Sequence, residues 1–167
     1  MSSAKYLFVP VLLFSSLVYA ESSNNIEYYT YSVDLPTTIQ FDQHAYDVKD
    51  TLDPMLNFIA DYLKEKPSIT KLRIEGHVYT EKSPEDNLKL SLQRAAMISY
   101  YLTEKGIDCQ RLVPVAFGDT KPIAPLDECN LLTNTRIGFY IAELNNKTTT
   151  GNAVDGYAKK RFNPCEY

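Results

Sequence analysis

Between residues 71 and 75 apolar and polar positions alternate: Leu72 and Ile74 fall between Lys71, Arg73 and Glu75. A repeat of two is that of a half-buried strand. Gly76 ends the run, and the stretch up to Asn87 is polar and carries Pro84. From Leu88 the period lengthens. Leu90, Arg94, Ala95, Ile98 and Leu102 recur at three- and four-residue steps, which predicts a helix, and Gly106 supplies a left-handed cap at its end. Upstream, residues 47–66 predict an earlier helix with Leu52, Met55, Leu56, Ile59, Ala60 and Leu63 on one face. Proline is tolerated in a first turn and costly deeper, so Pro54 puts the true start near Asp53, and Pro67 closes the helix.

Residues 111–117, with Leu112, Val113 and Val115, read as a second strand. Ile137, Phe139 and Ile141 alternate with Gly138, Tyr140 and Ala142 in another. Residues 126–133 between them read as a turn or helical loop holding Cys129. Ahead of the first helix, residues 26–41 are rich in Tyr and Thr and favour extended structure; Pro36 splits them, leaving a first strand at 37–41. The order is β-α-β-α-β-β. Right-handed β-α-β crossovers then imply an α+β fold, a mixed sheet with its helices packed on one face.

The 167 residues, 44% hydrophobic and 23% charged, suit one globular domain plus extensions. A net charge of -4 without a basic stripe argues against nucleic acid as a partner. Residues 1–20 read as a secretory signal, with Lys5, an apolar core over 6–18 and Val18-Tyr19-Ala20 before Glu21. That core is short of the ~20 residues a span needs, and Pro10 and Ser15-Ser16 interrupt it, so no transmembrane span is expected after cleavage. No Cys follows the signal, so a lipid anchor of the usual kind is not indicated. The organisation expected is a signal at 1–20, a Tyr-rich extension at 21–36, a domain at 37–144 and a loosely ordered polar tail at 145–167. Export permits disulfides, and the candidates are Cys109, Cys129 and Cys165; an odd count leaves a thiol over, and spacing does not choose among the three pairings.

Catalytic patterns are missing from the sequence. His44 and His77 are the two histidines, and neither H-E-x-x-H nor C-x-x-C occurs. His44 with Asp42 and Asp47 is the best metal candidate and reads as ordinary surface. Neither enzyme activity nor a metal or cofactor is expected.

The sequence I-E-G-H-V-Y at 74–79, followed by N-x-x-L-S-x-x-R-A at 87–95, resembles the central signature of the OmpA-like peptidoglycan-binding domain. Phe117-Gly118-Asp119 with Pro122-Ile123-Ala124 resembles that family's G-Y-G-E-x-x-P-I-A, and Asn134-Thr135-Arg136-Ile137 its N-R-R-V, Thr135 standing where the first Arg would be. The resemblance covers about residues 37–144. It implies non-covalent binding of peptidoglycan through diaminopimelate, whose free end carries an ammonium and a carboxylate. The ligand residues it implies are Gly76, His77, Tyr79, Asn87, Arg94 and Arg136. Arg94 would take the carboxylate, since its planar fork meets such a group with two charge-assisted hydrogen bonds. Tyr79 stands where the family's Asp would pair with the ammonium, and a phenol supplies no charge near neutral pH. Glu81, Glu85 and Asp86 are the nearby acids that could substitute. The expectation is a structural subunit of a periplasmic, outer-membrane-associated assembly, such as a secretion system, with envelope protein partners and lost or weakened wall binding. The alternative is a working peptidoglycan anchor using Arg94.

Overall fold

The computed structural model describes residue 41, residues 53–149 and residues 153–166. The signal, the Tyr-rich extension, the metal candidate around His44 and, Phe41 apart, the strand expected at 37–41 lie outside the described residues.

Helix α1 spans Asp53–Glu65 and buries Leu56, Ile59, Ala60 and Leu63, the stripe that three- and four-residue steps produce. Strand β1 covers Ile69–His77, two residues beyond Glu75. Helix α2 spans Pro84–Glu104, one turn earlier than the apolar pattern indicates. Its polar opening is a capped terminus: the Asp86 N–H donates to Ser83 Oγ at 3.1 Å, and Pro84 occupies a first-turn site that needs no N–H. Gly106 follows α2 with φ +87°, its N–H donating to Thr103 O at 2.8 Å, which is the left-handed cap expected there.

A 3-10 turn at Cys109–Arg111 leads into β2, Leu112–Gly118. A second turn at Glu128–Asn130 and the short α3, Leu131–Asn134, precede β3, Arg136–Leu144. Strands β4 (Lys147–Thr148) and β5 (Lys160–Arg161) complete a mixed sheet in the order β4-β3-β1-β2-β5. The central β1 runs parallel to β2 and antiparallel to β3. Leu72 and Ile74 of β1 and Ile137, Phe139 and Ile141 of β3 join Leu56, Leu63, Ile98 and Leu102 of the helices in one apolar core. At roughly 1.5–3 kcal/mol for each fully buried aliphatic side chain, this helix-covered face carries most of the stabilisation.

The polar stretch after residue 144 differs from the loosely ordered tail expected of it. Residues 153–166 return to the sheet: β5 pairs with β2, and Cys165 is bonded to Cys109 across 56 positions of chain. A disulfide closing so long a loop restricts the unfolded chain strongly, by about 4 kcal/mol in the chain-entropy picture. Cys129 is the free thiol and is exposed.

That returning segment crosses the face of the sheet opposite the helices. Arg73 Nη1 donates to Val154 O at 3.3 Å, and Lys121 Nζ to Gly156 O at 3.5 Å. Glu75, expected on a solvated face, is buried there together with His77. Arg73 Nε donates to Glu75 Oε1 at 2.7 Å, so the buried carboxylate has a cationic partner, as burial of a charge requires.

Candidate functional site

Where β1 ends, its backbone is fixed on two sides. The Val78 N–H donates to Gly118 O at 3.1 Å. The Tyr79 N–H donates to Thr135 Oγ1 at 3.1 Å, and the Thr135 hydroxyl donates to Tyr79 O at 3.1 Å. This clamp sets one wall of a cleft of about 830 Å³. Tyr79, Thr80 and Glu81 line it from β1 and the following loop, Arg94 from α2, and Glu128, Cys129, Leu131 and Leu132 from the turn before β3. Phe41 closes the cleft with its ring 4.6 Å from the Arg94 guanidinium carbon, a cation–π contact.

Arg94 is 3% exposed. Burial pulls its pKa down to about 10, which leaves the guanidinium charged at neutral pH. The cleft thus holds a desolvated cation beside Phe41, Leu131 and Leu132, with the carboxylates of Glu81 and Glu128 and the ammonium of Lys82 also in its lining. Such an arrangement suits an anionic ligand group, and more so a zwitterion when one of those acids faces the ligand's ammonium.

Of the six residues that the family resemblance points to, the structure brings Tyr79 and Arg94 together in this cleft. The other four do not line it. Gly76 is where β1 and α2 touch: a Cβ there would lie 2.0 Å from Ser91 O. Asn87 is buried and ties down the loop, accepting from Thr80 Oγ1 at 2.6 Å and donating to Thr80 O at 3.4 Å.

His77 packs on Phe117 with ring centroids 5.3 Å apart and has Nε2 3.1 Å from Glu75 Oε2. Its Nδ1 is buried and has no partner among the described residues. Burial lowers the pKa of His77; Glu75 opposes this, and the charges of Arg136 and Lys121 add to it. Arg136 donates to the carbonyls of Asn134 and Lys121, at 3.3 and 3.1 Å, and holds the β2–β3 connection.

Among the acids that could substitute, Glu81 lines the cleft. Asp86 is engaged in the α2 cap, accepting from the Ser83 hydroxyl at 2.7 Å, and Glu85 lines a separate depression with Pro84 and Lys160. Phe41, Glu128, Leu131 and Leu132 were not among the sequence candidates. The segment of Glu128, Leu131 and Leu132 lacks a repeat long enough to place it, and Asn134 orders it from inside, accepting from the Ile123 and Ala124 N–H groups at 2.9 and 3.1 Å. Among the described residues no helix is long and apolar enough to cross a membrane, and no group of His, Cys, Asp and Glu is placed to hold a metal ion.

The model of the OmpA family matches residues 40–128, slightly more than half of the chain. The chain belongs to the OmpA family. Among its relatives, the peptidoglycan-associated lipoprotein of Haemophilus influenzae is 33% identical over 85 residues, 51% of this chain and 55% of that protein. A 93-residue stretch, 54% of this chain, is 38% identical to 10% of the Photosystem I P700 chlorophyll a apoprotein A2 of Gloeobacter violaceus. The chain therefore spans about half of the first relative and a small part of the second. Among solved structures, the peptidoglycan-associated lipoprotein from Burkholderia pseudomallei superposes with a TM-score of 0.57 at 29% identity, over 62% of this chain and 87% of that one. The cell wall anchor of the T6SS from Pseudomonas aeruginosa gives a TM-score of 0.52 at 25% identity, over 60% and 72%. This OmpA-family domain thus has the mixed sheet and helices of its relatives, and the cleft lies at the end of its central strand.

Proposed function

We propose that this chain is a non-enzymatic structural subunit of a cell-envelope assembly. It is exported to the periplasm and held near the outer membrane or wall through protein partners, and its OmpA-like cleft has lost or weakened its grip on peptidoglycan. The observation that carries this reading is the pair Tyr79 and Arg94 in one cleft. On this reading Arg94 would meet a carboxylate, and a phenol stands where the family resemblance expects the carboxylate that would meet the ammonium. Loss of one partner of a buried charge pair commonly costs about 2–5 kcal/mol, or roughly 30- to 4000-fold in affinity at about 1.4 kcal/mol per decade. The assembly role draws on the likeness to the secretion-system wall anchor and to the peptidoglycan-associated lipoproteins.

A second reading has its own support. Glu81 lines the cleft with Arg94, so a working wall anchor would pair the ligand ammonium with Glu81. Co-sedimentation with purified diaminopimelate-type sacculi separates the two. The subunit reading expects little wild-type protein in the pellet, and crosslinks to envelope proteins in intact cells. Strong pelleting that both Arg94→Ala and Glu81→Gln abolish would replace it with the anchor reading.

A further inference from the structure

We propose that residues 153–166 form a strap across the outer face of the sheet, latched by the Cys109–Cys165 bond, which a dithiol reductant releases while the rest of the domain stays folded. The non-covalent grip on the strap is thin. Strand β5 is two residues long, and both are exposed. Its ladder with β2 covers two residue pairs, Val115 with Arg161 and Ala116 with Lys160, and the edge extends it little further. Pro114 has no N–H, the Leu112 N–H turns to Cys109 O, and the Gly118 N–H turns to Ser91 Oγ. One carbonyl of that edge, Pro114 O, accepts from the Phe162 N–H at 3.1 Å. On the outer face the strap gives acceptors to Arg73 and Lys121 at 3.3 and 3.5 Å, both long. With a ladder only two pairs long, the strap is held at its end by the covalent fastening.

The fastening is accessible. Cys165 is exposed, and the bond borders a cleft of about 650 Å³ between Lys71, Gln110, Phe162 and Glu166. An incoming thiolate attacks Cys165 Sγ and breaks the S–S bond; Cys109 leaves as a thiolate and takes a proton. The second thiol of the reductant then displaces Cys165 from the mixed disulfide and carries off the oxidised pair. Two electrons and two protons pass to the cysteines. With the strap free, Arg73 and Lys121 lose their carbonyl acceptors and the buried Glu75 opens to solvent.

The test is native-state trypsin cleavage after Lys159, Lys160 and Arg161 in the full chain, oxidised against reduced in place, with amide exchange followed in β1 and β3. Cys165→Ser runs as a permanently open form and Cys129→Ser as a control. Reduction and Cys165→Ser are expected to speed cleavage by about tenfold or more, while β1 and β3, though less stable by the lost loop closure, stay folded and exchange far more slowly than the strap. Cleavage rates that stay within about twofold overturn the latch. So does exchange in β1 and β3 as fast as in the strap, which would mean that the domain opens as one unit.

Discussion

Thr135 exchanges two hydrogen bonds with the backbone of Tyr79, each of 3.1 Å. These are two positions at which the sequence resemblance leads one to expect other residues, and they lie against each other. A short hydroxyl at 135 holds the strand end that presents a phenol at 79. Thr135→Val keeps the shape and removes the hydroxyl, leaving the Tyr79 N–H and C=O without their partner. A cost of about 1–3 kcal/mol is expected in urea unfolding, and Thr135→Ser should recover most of it. A neutral Thr135→Val would show that water satisfies those groups equally well.

Gly76 is required by space. A methyl group there would sit 2.0 Å from the backbone oxygen of Ser91, so β1 and α2 would have to separate across a close-packed core. Gly76→Ala should destabilise the domain by about 3 kcal/mol or more, read as a lowered unfolding midpoint. Gly106→Ala meets nothing within 4 Å and should show the smaller strain of its positive φ alone.

The buried His77–Glu75 pair makes the fold acid-sensitive. Burial first, then Arg136 and Lys121, lower the imidazole pKa, with Glu75 opposing them. Between that lowered value and the ordinary one near ~6.5 the unfolded chain binds more protons than the folded one, so stability falls as pH drops through this window. Burial would raise Glu75, but the His77 hydrogen bond and the charges of Arg73 and Lys121 outweigh it and hold its pKa below the ordinary value of 4.5. Its contribution is present above the ordinary carboxylate range and is lost at lower pH. Thermal unfolding should therefore show a lower Tm at about pH 5 than at about pH 7, and His77→Gln should flatten that difference. An unchanged slope in the variant would assign the acid sensitivity elsewhere.

Local periodicity made much of this architecture legible. Leu72 and Ile74 gave β1, the stripe from Leu56 to Leu63 gave α1, and Gly106 marked the end of α2. The start of α2 was hidden because its first turn is polar, and the Ser83 cap rather than apolar spacing defines it. The burial of Glu75 was hidden for a different reason. Alternation in β1 distinguishes one face from the other, but the chain that covers the second face arrives from Val154, 81 residues away from Arg73. The Cys109–Cys165 pairing is non-local in the same way. Within the cleft, Arg94 was legible through its motif. Glu128 and Leu132 were not, because they reach the site through a turn ordered by buried Asn134.

The central claim concerns Tyr79, and titration calorimetry of a soluble diaminopimelate-containing muropeptide into the wild-type chain, Tyr79→Asp and Arg94→Ala tests it most directly. The account predicts weak or undetectable wild-type binding, a gain of about 30-fold or more for Tyr79→Asp, and no binding for Arg94→Ala. Wild-type affinity equal to that of Tyr79→Asp would contradict it, and would mean that another cleft group, Glu81 foremost, already supplies the missing charge.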